Sequence, residues 1–102
     1  MRNYTLSDDA EEDLRNIALY TLDMWGAEQL KEYQTALNEK FEQVGRGEAL
    51  ERPFSLKLPD VHVTKCRHHF IFYLTEENNQ PIILAVFNER NDIVKRLLSR
   101  LS

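Results

Sequence analysis

At 102 residues the chain is long enough to bury one hydrophobic core without disulfides or a structural metal, and we expect residues 1–102 to form a single domain. Its hydrophobic fraction of 42% and charged fraction of 29% are ordinary for folded proteins and exclude the disordered and collagen-like classes. The net charge of −4 disfavours unaided binding to DNA or RNA, because an acidic protein is repelled by a polyanion.

No export or membrane segment is expected. The longest uncharged apolar run, residues 81–88, is far shorter than the ~20 residues that a membrane-spanning helix requires. The N-terminus becomes acidic at Asp8 and Asp9, where a secretory signal would show its apolar stretch. The single cysteine, Cys66, excludes an intramolecular disulfide, which fits a reducing compartment. We therefore expect a cytoplasmic protein.

The first half of the chain predicts a strand followed by a helical hairpin. Residues 3–6 are rich in strand formers, and Ser7 is a plausible N-cap ahead of several acidic residues. Apolar residues at intervals of three and four predict a helix from Ala10 to Trp25, which Gly26 ends, and a second helix over 30–44. Two helices joined by one glycine must fold back on each other and need a further layer to cover them.

The second half predicts an antiparallel sheet. Residues 45–60 are interpreted as a surface connection, because glycines and prolines interrupt both helical and strand periodicity. Three strand-like runs follow over 61–65, 69–74 and 82–87, of which the last two are apolar on nearly every residue and predict central strands. The polar segment 76–80 between them predicts a hairpin turn.

The C-terminal segment 91–101 predicts a short amphipathic helix that is basic on its polar side. Docking of its apolar ridge on the chain's own sheet is favoured over docking on a partner, since exposed ridges carry an aggregation risk. The expected fold class is α+β, with an N-terminal strand, a helical hairpin packed on an antiparallel sheet, and this C-terminal amphipathic helix.

The residue pattern resembles the RelE/ParE superfamily of bacterial toxins over nearly the whole chain. Residues 10–20 look like the family's first helix, and residues 25–29 look like its helix-hairpin turn. Residues 69–73 are similar to the ParE strand motif His-x-Ile-x-Tyr, and residues 86–92 resemble the segment usually read as Leu-His-x-Arg-x-Asp.

The chain also departs from the family at two places. Family members commonly have a glycine, an aromatic residue and an arginine where this chain has Asp60, Val61 and His62, and a histidine where it has Asn88.

The resemblance implies the toxin of a type II toxin–antitoxin system, neutralised by a cognate ParD-like antitoxin and acting on DNA gyrase by protein binding. An antitoxin of this class carries an acidic segment. Residues 1–51 have five basic and 12 acidic side chains, whereas residues 52–102 have eight basic and five acidic, so the second half suits such a segment.

Two alternatives stay open. One is a RelE-like ribosome-dependent mRNA endonuclease, which needs a proton acceptor and a donor. Downstream of Tyr73 the sequence has neither tyrosine nor histidine, and Lys95 and Arg96, protonated at neutral pH, are poor bases. The other is a degenerate, non-toxic relative that binds only the antitoxin, which the departures at His62 and Asn88 suggest.

Cys66, His68 and His69 suggest a zinc site, since thiolate and imidazole are zinc ligands. On one strand, however, Cys66 and His68 would point one way and His69 the other, and a fourth ligand is missing nearby. Cys66 and His68 also lack a local carboxylate that would orient them as a nucleophilic pair. We therefore predict no catalytic residues, no metal and no cofactor.

Contacts with protein partners are predicted for eight residues. Trp25 ends an apolar helical stripe, which favours a core position over a contact role. Arg67 and Arg90 either recognise carboxylates on a partner or pair internally with Asp60 and Asp92. Tyr73, in a central strand, is interpreted as packing. The predicted partner-contacting residues are Trp25, Arg67, His69, Arg90, Lys95, Arg96, Leu97 and Leu98.

Overall fold

The computed structural model describes residues 3–49, 52–55, 58–75, 79–89 and 93–101. In chain order the elements are β1 (Thr5–Leu6), α1 (Asp8–Trp25), α2 (Ala27–Gly45), β2 (Arg52–Ser55), β3 (Leu58–Cys66), β4 (His69–Leu74), β5 (Ile82–Asn88) and α3 (Ile93–Leu101). The α+β fold class is confirmed, with the helical hairpin α1–α2 and the C-terminal helix α3 in the predicted order. None of the described helices is long and apolar enough to cross a membrane.

The five strands form one sheet in the order β1-β5-β4-β3-β2. Strands β2 to β5 are antiparallel, and β1 lies parallel to β5, with Thr5 opposite Ile82 and Leu6 opposite Ile83. The short N-terminal strand therefore makes the sheet mixed at one edge.

The interpretation of residues 45–60 as a surface connection is wrong, because β2 and the first residues of β3 lie inside this segment. Its prolines are compatible with strands for a local reason. Pro53 lies on β2, the outer strand of the sheet, where a missing backbone N–H removes no bond to a further strand. Pro59 precedes Val61, at which the register between β3 and β4 begins.

The hairpin begins and turns where the sequence indicates. The Ser7 side chain caps α1 by accepting a hydrogen bond from the Ala10 N–H at 3.0 Å. Gly26 joins α1 to α2 with a φ of 90°, a left-handed conformation that glycine adopts without a steric penalty. The N–H of Gly26 also donates to the Leu22 carbonyl at 3.0 Å, which closes the last turn of α1.

The sheet separates two apolar clusters. The hairpin covers one face, and its buried cluster consists of Tyr4, Ala10, Tyr33, Leu37, Phe41, Val44, Cys66, Ile71, Tyr73, Ile83 and Val86. Helix α3 belongs to the second cluster, which consists of Val61, Val63, Phe72, Ala85, Phe87 and Leu97. Docking of α3 on its own sheet is therefore confirmed. The sequence of β4 is continuously apolar because both faces of the strand are covered. Ile71 and Tyr73 face the hairpin cluster, and Phe72 faces the α3 cluster.

Candidate protein-binding surfaces

The basic side of α3 is the first candidate surface. Lys95 and Arg96 are exposed, and the Arg96 guanidinium lies 4.5 Å from the centroid of the Phe87 ring, which orients its charge over β5. Leu97 is fully buried, so this predicted contact residue is not available to a partner while α3 stays on the sheet. Of these predicted contact residues on α3, Lys95 and Arg96 are therefore exposed, whereas Leu97 is buried against the sheet.

Two predicted contact residues cannot be placed. Arg90 and the side chain of Leu98 lie outside the described residues, as does Asp92, the predicted internal partner of Arg90.

The turn between β3 and β4 holds two further predicted contacts, Arg67 and His69. Arg67 is exposed, has a positive φ of 55°, and lies with its guanidinium 5.6 Å from the centroid of the Tyr33 ring. It makes no ion pair with Asp60 among the described residues, so the predicted internal pairing is not the one formed. The Arg67 guanidinium therefore faces solvent on one side and an aromatic ring on the other, a position open to a partner carboxylate.

His69 is half-buried and contacts the side chain of Tyr33 on α2. The Tyr33 hydroxyl lies against Nδ1 of His69 and 3.3 Å from the Cys66 carbonyl. A hydroxyl has one proton, so both contacts are satisfied when His69 donates to the Tyr33 oxygen and Tyr33 donates to the carbonyl. Burial raises the pKa of Tyr33 and lowers the pKa of His69, which favours the neutral form of both groups. The contacts of Tyr33 with His69 and Cys66 therefore join α2 to the β3–β4 turn.

The expected orientation of Cys66 and His68 on one strand is wrong. Strand β3 ends at Cys66, residues 67 and 68 form the turn, and Cys66 lies opposite His69 in the register of β3 and β4. The thiol of Cys66 is buried, which raises its pKa, whereas the His68 side chain is exposed and lies 3.0 Å from the Glu89 carboxylate. Within the described ranges, no three such side chains are grouped to hold a metal ion.

The positions that depart from the family lie within the sheet. His62 on β3 stacks on Tyr73 of β4, with ring centroids 5.8 Å apart and an angle of 23° between the rings. Tyr73 is 3% exposed, which confirms its interpretation as a packing residue. Asn88, the last residue of β5, lies opposite His69.

The outer end of the hairpin is the second candidate surface. Trp25 is 68% exposed, so the interpretation of this side chain as core is wrong. The last buried residue of α1 is Thr21, and the helix continues for one further turn that contacts no core. The exposed large apolar side chains of α1 form what we call the hairpin-tip patch: Leu19, Tyr20, Leu22, Met24 and Trp25. Sequence reasoning missed four of them, although Leu19, Tyr20, Leu22 and Met24 fall outside the predicted apolar stripe.

An apolar groove of about 300 Å³ lies between the two helices of the hairpin. It is lined on α1 by Leu14, Ile17 and Ala18, and on α2 by residues that include Leu30 and Leu37. Grooves of this kind accept the apolar face of a helix.

Comparison with known proteins gives one consistent family. The family model described as ParE toxin of type II toxin-antitoxin system, parDE, matches residues 4–93. The Toxin ParE of Escherichia coli is 34% identical over 101 residues, which cover 99% of this chain and 98% of the relative. A solved structure described as a chromosomal ParDE TA system from P. aeruginosa matches with a TM-score of 0.70 at 15% identity, over 86% of this chain and 96% of that chain. At that identity the structural match supports the fold alone.

Proposed function

Since this chain belongs to the ParE toxin family of type II toxin–antitoxin systems, we propose that it is a cytoplasmic toxin held inactive in a tight complex with a ParD-like antitoxin. The observation that carries the proposal is the distribution of charge over the fold. The α1–α2 hairpin, residues 8–45, has ten acidic and three basic side chains, whereas the chain from residue 52 onward has eight basic and five acidic. An acidic antitoxin segment is attracted to the second region and repelled by the first.

The proposed contact centres on α3, on the face of the sheet opposite the hairpin, where Lys95 and Arg96 are exposed. Arg67 is a separate exposed cation at the β3–β4 turn, against Tyr33 of the hairpin, and Arg96 and Arg67 each lie over an aromatic ring. A carboxylate that approaches Arg96 or Arg67 meets a guanidinium that has already lost part of its conformational freedom, which lowers the entropy cost of binding.

This contact is tested by titrating the purified toxin with its antitoxin at several salt concentrations. We expect the variant Lys95→Glu/Arg96→Glu to weaken binding and to flatten its salt dependence, because two of the screened attractions are removed. The matched control is Arg15→Glu on the acidic hairpin, where the native arginine is 2.5 Å from Glu12. Equal loss of affinity in both variants would place the antitoxin elsewhere.

For the target, we propose DNA gyrase, bound without bond-breaking chemistry. Three groups that could transfer a proton or attack a phosphate are engaged inside the fold. His69 is bonded to Tyr33, Tyr73 is 3% exposed, and Cys66 is buried with a raised pKa. The burial or bonding of these three groups agrees with binding as the mode of action.

The direct test is gyrase supercoiling of relaxed plasmid across a titration of toxin. We expect supercoiling to fall with toxin concentration, with cleaved DNA trapped on the enzyme. Unchanged supercoiling at saturating toxin would remove gyrase as the target. Codon-linked cuts in ribosome-bound mRNA that vanish in Arg90→Ala would instead establish the endonuclease alternative.

A further inference from the structure

The hairpin-tip patch is the largest group of exposed apolar side chains in the described part of the chain, and the packing of the fold does not use it. Trp25 is 68% exposed, Leu19 66% and Tyr20 62%. Exposed clusters of this kind on a small protein mark interaction sites, and tryptophan and tyrosine dominate the binding energy of many interfaces.

We propose that the hairpin-tip patch is the surface with which this toxin binds its cellular target. The segment of the target that contacts the patch is cationic and has an apolar side. The inference rests on the proposed toxin function, but not on gyrase as the particular target.

Charge decides between the candidate occupants of the patch. Asp23 is exposed within the patch, and Glu28 is exposed in the first turn of α2, beside it in the hairpin. Neither carboxylate forms an ion pair with any residue that the structure describes. Arg15, the basic residue of α1, is already bonded to Glu12 at 2.5 Å, and Lys31 is exposed on α2 one turn after Glu28. The patch therefore combines exposed apolar side chains with a local excess of negative charge.

This negative charge disfavours two occupants. A second copy of the chain would bring two hairpins together, each with a net charge of −7 over residues 8–45, at a repulsive cost. An acidic antitoxin segment would meet the same repulsion. A partner with lysines or arginines around an apolar side gains from both the carboxylates and the exposed side chains. In this account the antitoxin binds the basic second half of the chain and excludes the target sterically, without covering the patch.

Trp25 gives the first test, because it is the single tryptophan of the chain and its fluorescence reports on the patch alone. We expect acrylamide to quench Trp25 in the free toxin, because this residue is 68% exposed. Quenching in the complex with a tryptophan-free antitoxin should agree with that in the free toxin to within about 20%. Strong protection of Trp25 in that complex would overturn the inference, since it would make the patch an antitoxin site.

The second test uses growth arrest on induced expression. We expect Leu22→Ser/Trp25→Ser and Asp23→Lys/Glu28→Lys each to raise the toxin level needed for arrest by about tenfold or more, as loss of a central contact does. Neither should weaken antitoxin binding by more than about twofold, since their positions are exposed and lie at the end of α1 and the start of α2. The matched control is Leu101→Ser, which removes an exposed leucine from α3 and should leave the toxicity of the chain unchanged.

Toxicity that survives both patch variants would overturn the inference, as would a parallel loss of antitoxin affinity or a wild-type chain that causes no arrest. Growth arrest without inhibition of supercoiling would contradict only the choice of gyrase as target. The comparison of patch variants would still test whether the patch binds the target.

Discussion

Arg100 of α3 and Asp13 of α1 form a two-pronged ion pair that joins the last helix to the first at the edge of β5. The Arg100 Nη1–Asp13 Oδ2 distance is 2.8 Å and the Nη2–Oδ1 distance is 3.2 Å. Asp13 also accepts the backbone N–H of Val86 at 3.0 Å, and Arg100 donates to the Leu84 carbonyl at 3.3 Å. Strand β1 covers β5 only as far as Ile83, so these side chains bond the backbone groups that β1 leaves open.

The ion pair should carry a measurable part of the stability. We expect Asp13→Ala to lower the free energy of unfolding by about 3 kcal/mol, because it leaves both the Arg100 guanidinium and the Val86 N–H without their partner. Urea denaturation measures the change. The control, Arg15→Ala, removes an exposed i,i+3 pair and should cost less than about 0.5 kcal/mol. Equal costs for the two variants would show that the edge of β5 does not need Asp13.

Leu97 anchors α3 to the sheet. It is 0% exposed among Phe87, Ala85 and Val63, and we expect Leu97→Ala to cost about 3 kcal/mol through the cavity it leaves. Leu101→Ala, at a 40% exposed position of the same helix, should cost well under about 1 kcal/mol. Thermal unfolding of both variants checks the difference. A mild Leu97→Ala would mean that α3 is only loosely docked.

The Tyr33 hydroxyl fixes α2 to the β3–β4 turn. We expect Tyr33→Phe to lower the free energy of unfolding by about 1–2 kcal/mol, because His69 and the Cys66 carbonyl lose their shared partner in a half-buried site. Tyr20→Phe removes the same atom from a side chain that is 62% exposed, and it should be neutral. Equal shifts of the denaturation midpoint in the two variants would show that the buried hydroxyl does not stabilise the fold.

The stability should also depend on pH through His69. Burial lowers the pKa of this imidazole, so the unfolded chain takes up its proton at a higher pH, near the ordinary value of about 6.5. The free energy of unfolding is therefore at its full value above about pH 6.5 and falls as the pH falls toward the folded-state pKa. The contribution of one proton is at most about 1.4 kcal/mol per pH unit.

Denaturation between pH 7 and 5 measures this dependence, and His69→Gln should flatten it. His68→Gln, next to it in sequence but with 81% of its side chain exposed, should retain most of the slope. Glu89, whose pKa is lowered by hydrogen bonds from Lys65 and His68, adds its own dependence only at lower pH. An unchanged slope in His69→Gln would assign the pH dependence to other groups.

Local patterns in the sequence predicted most of the elements, because each depends on neighbouring residues. Ser7 and Gly26 mark the ends of α1 through capping and a positive φ, and the apolar run around Ile71 indicates a strand covered on both faces. The resemblance to the RelE/ParE superfamily, which depends on motifs spread over the chain, is confirmed by the family comparison.

The errors arose where the deciding contact is distant in sequence. Trp25 continues an apolar stripe, but whether that stripe is covered depends on how far the sheet extends beneath α1. Pro53 breaks strand periodicity, yet it is tolerated because β2 lies at the edge of the sheet. The partnership of Asp13 with Arg100 joins residues 87 positions apart, and no local spacing indicates it.

The central claim is that this toxin acts by reversible protein binding, and order-of-addition experiments test it most directly. Gyrase is first inhibited by the toxin, and an excess of purified antitoxin is then added while supercoiling is followed. Reversible binding predicts that supercoiling returns to its uninhibited rate and that the gyrase subunits keep their original masses. Inhibition that persists after the toxin has been captured by antitoxin, or a chemically altered gyrase, would contradict it.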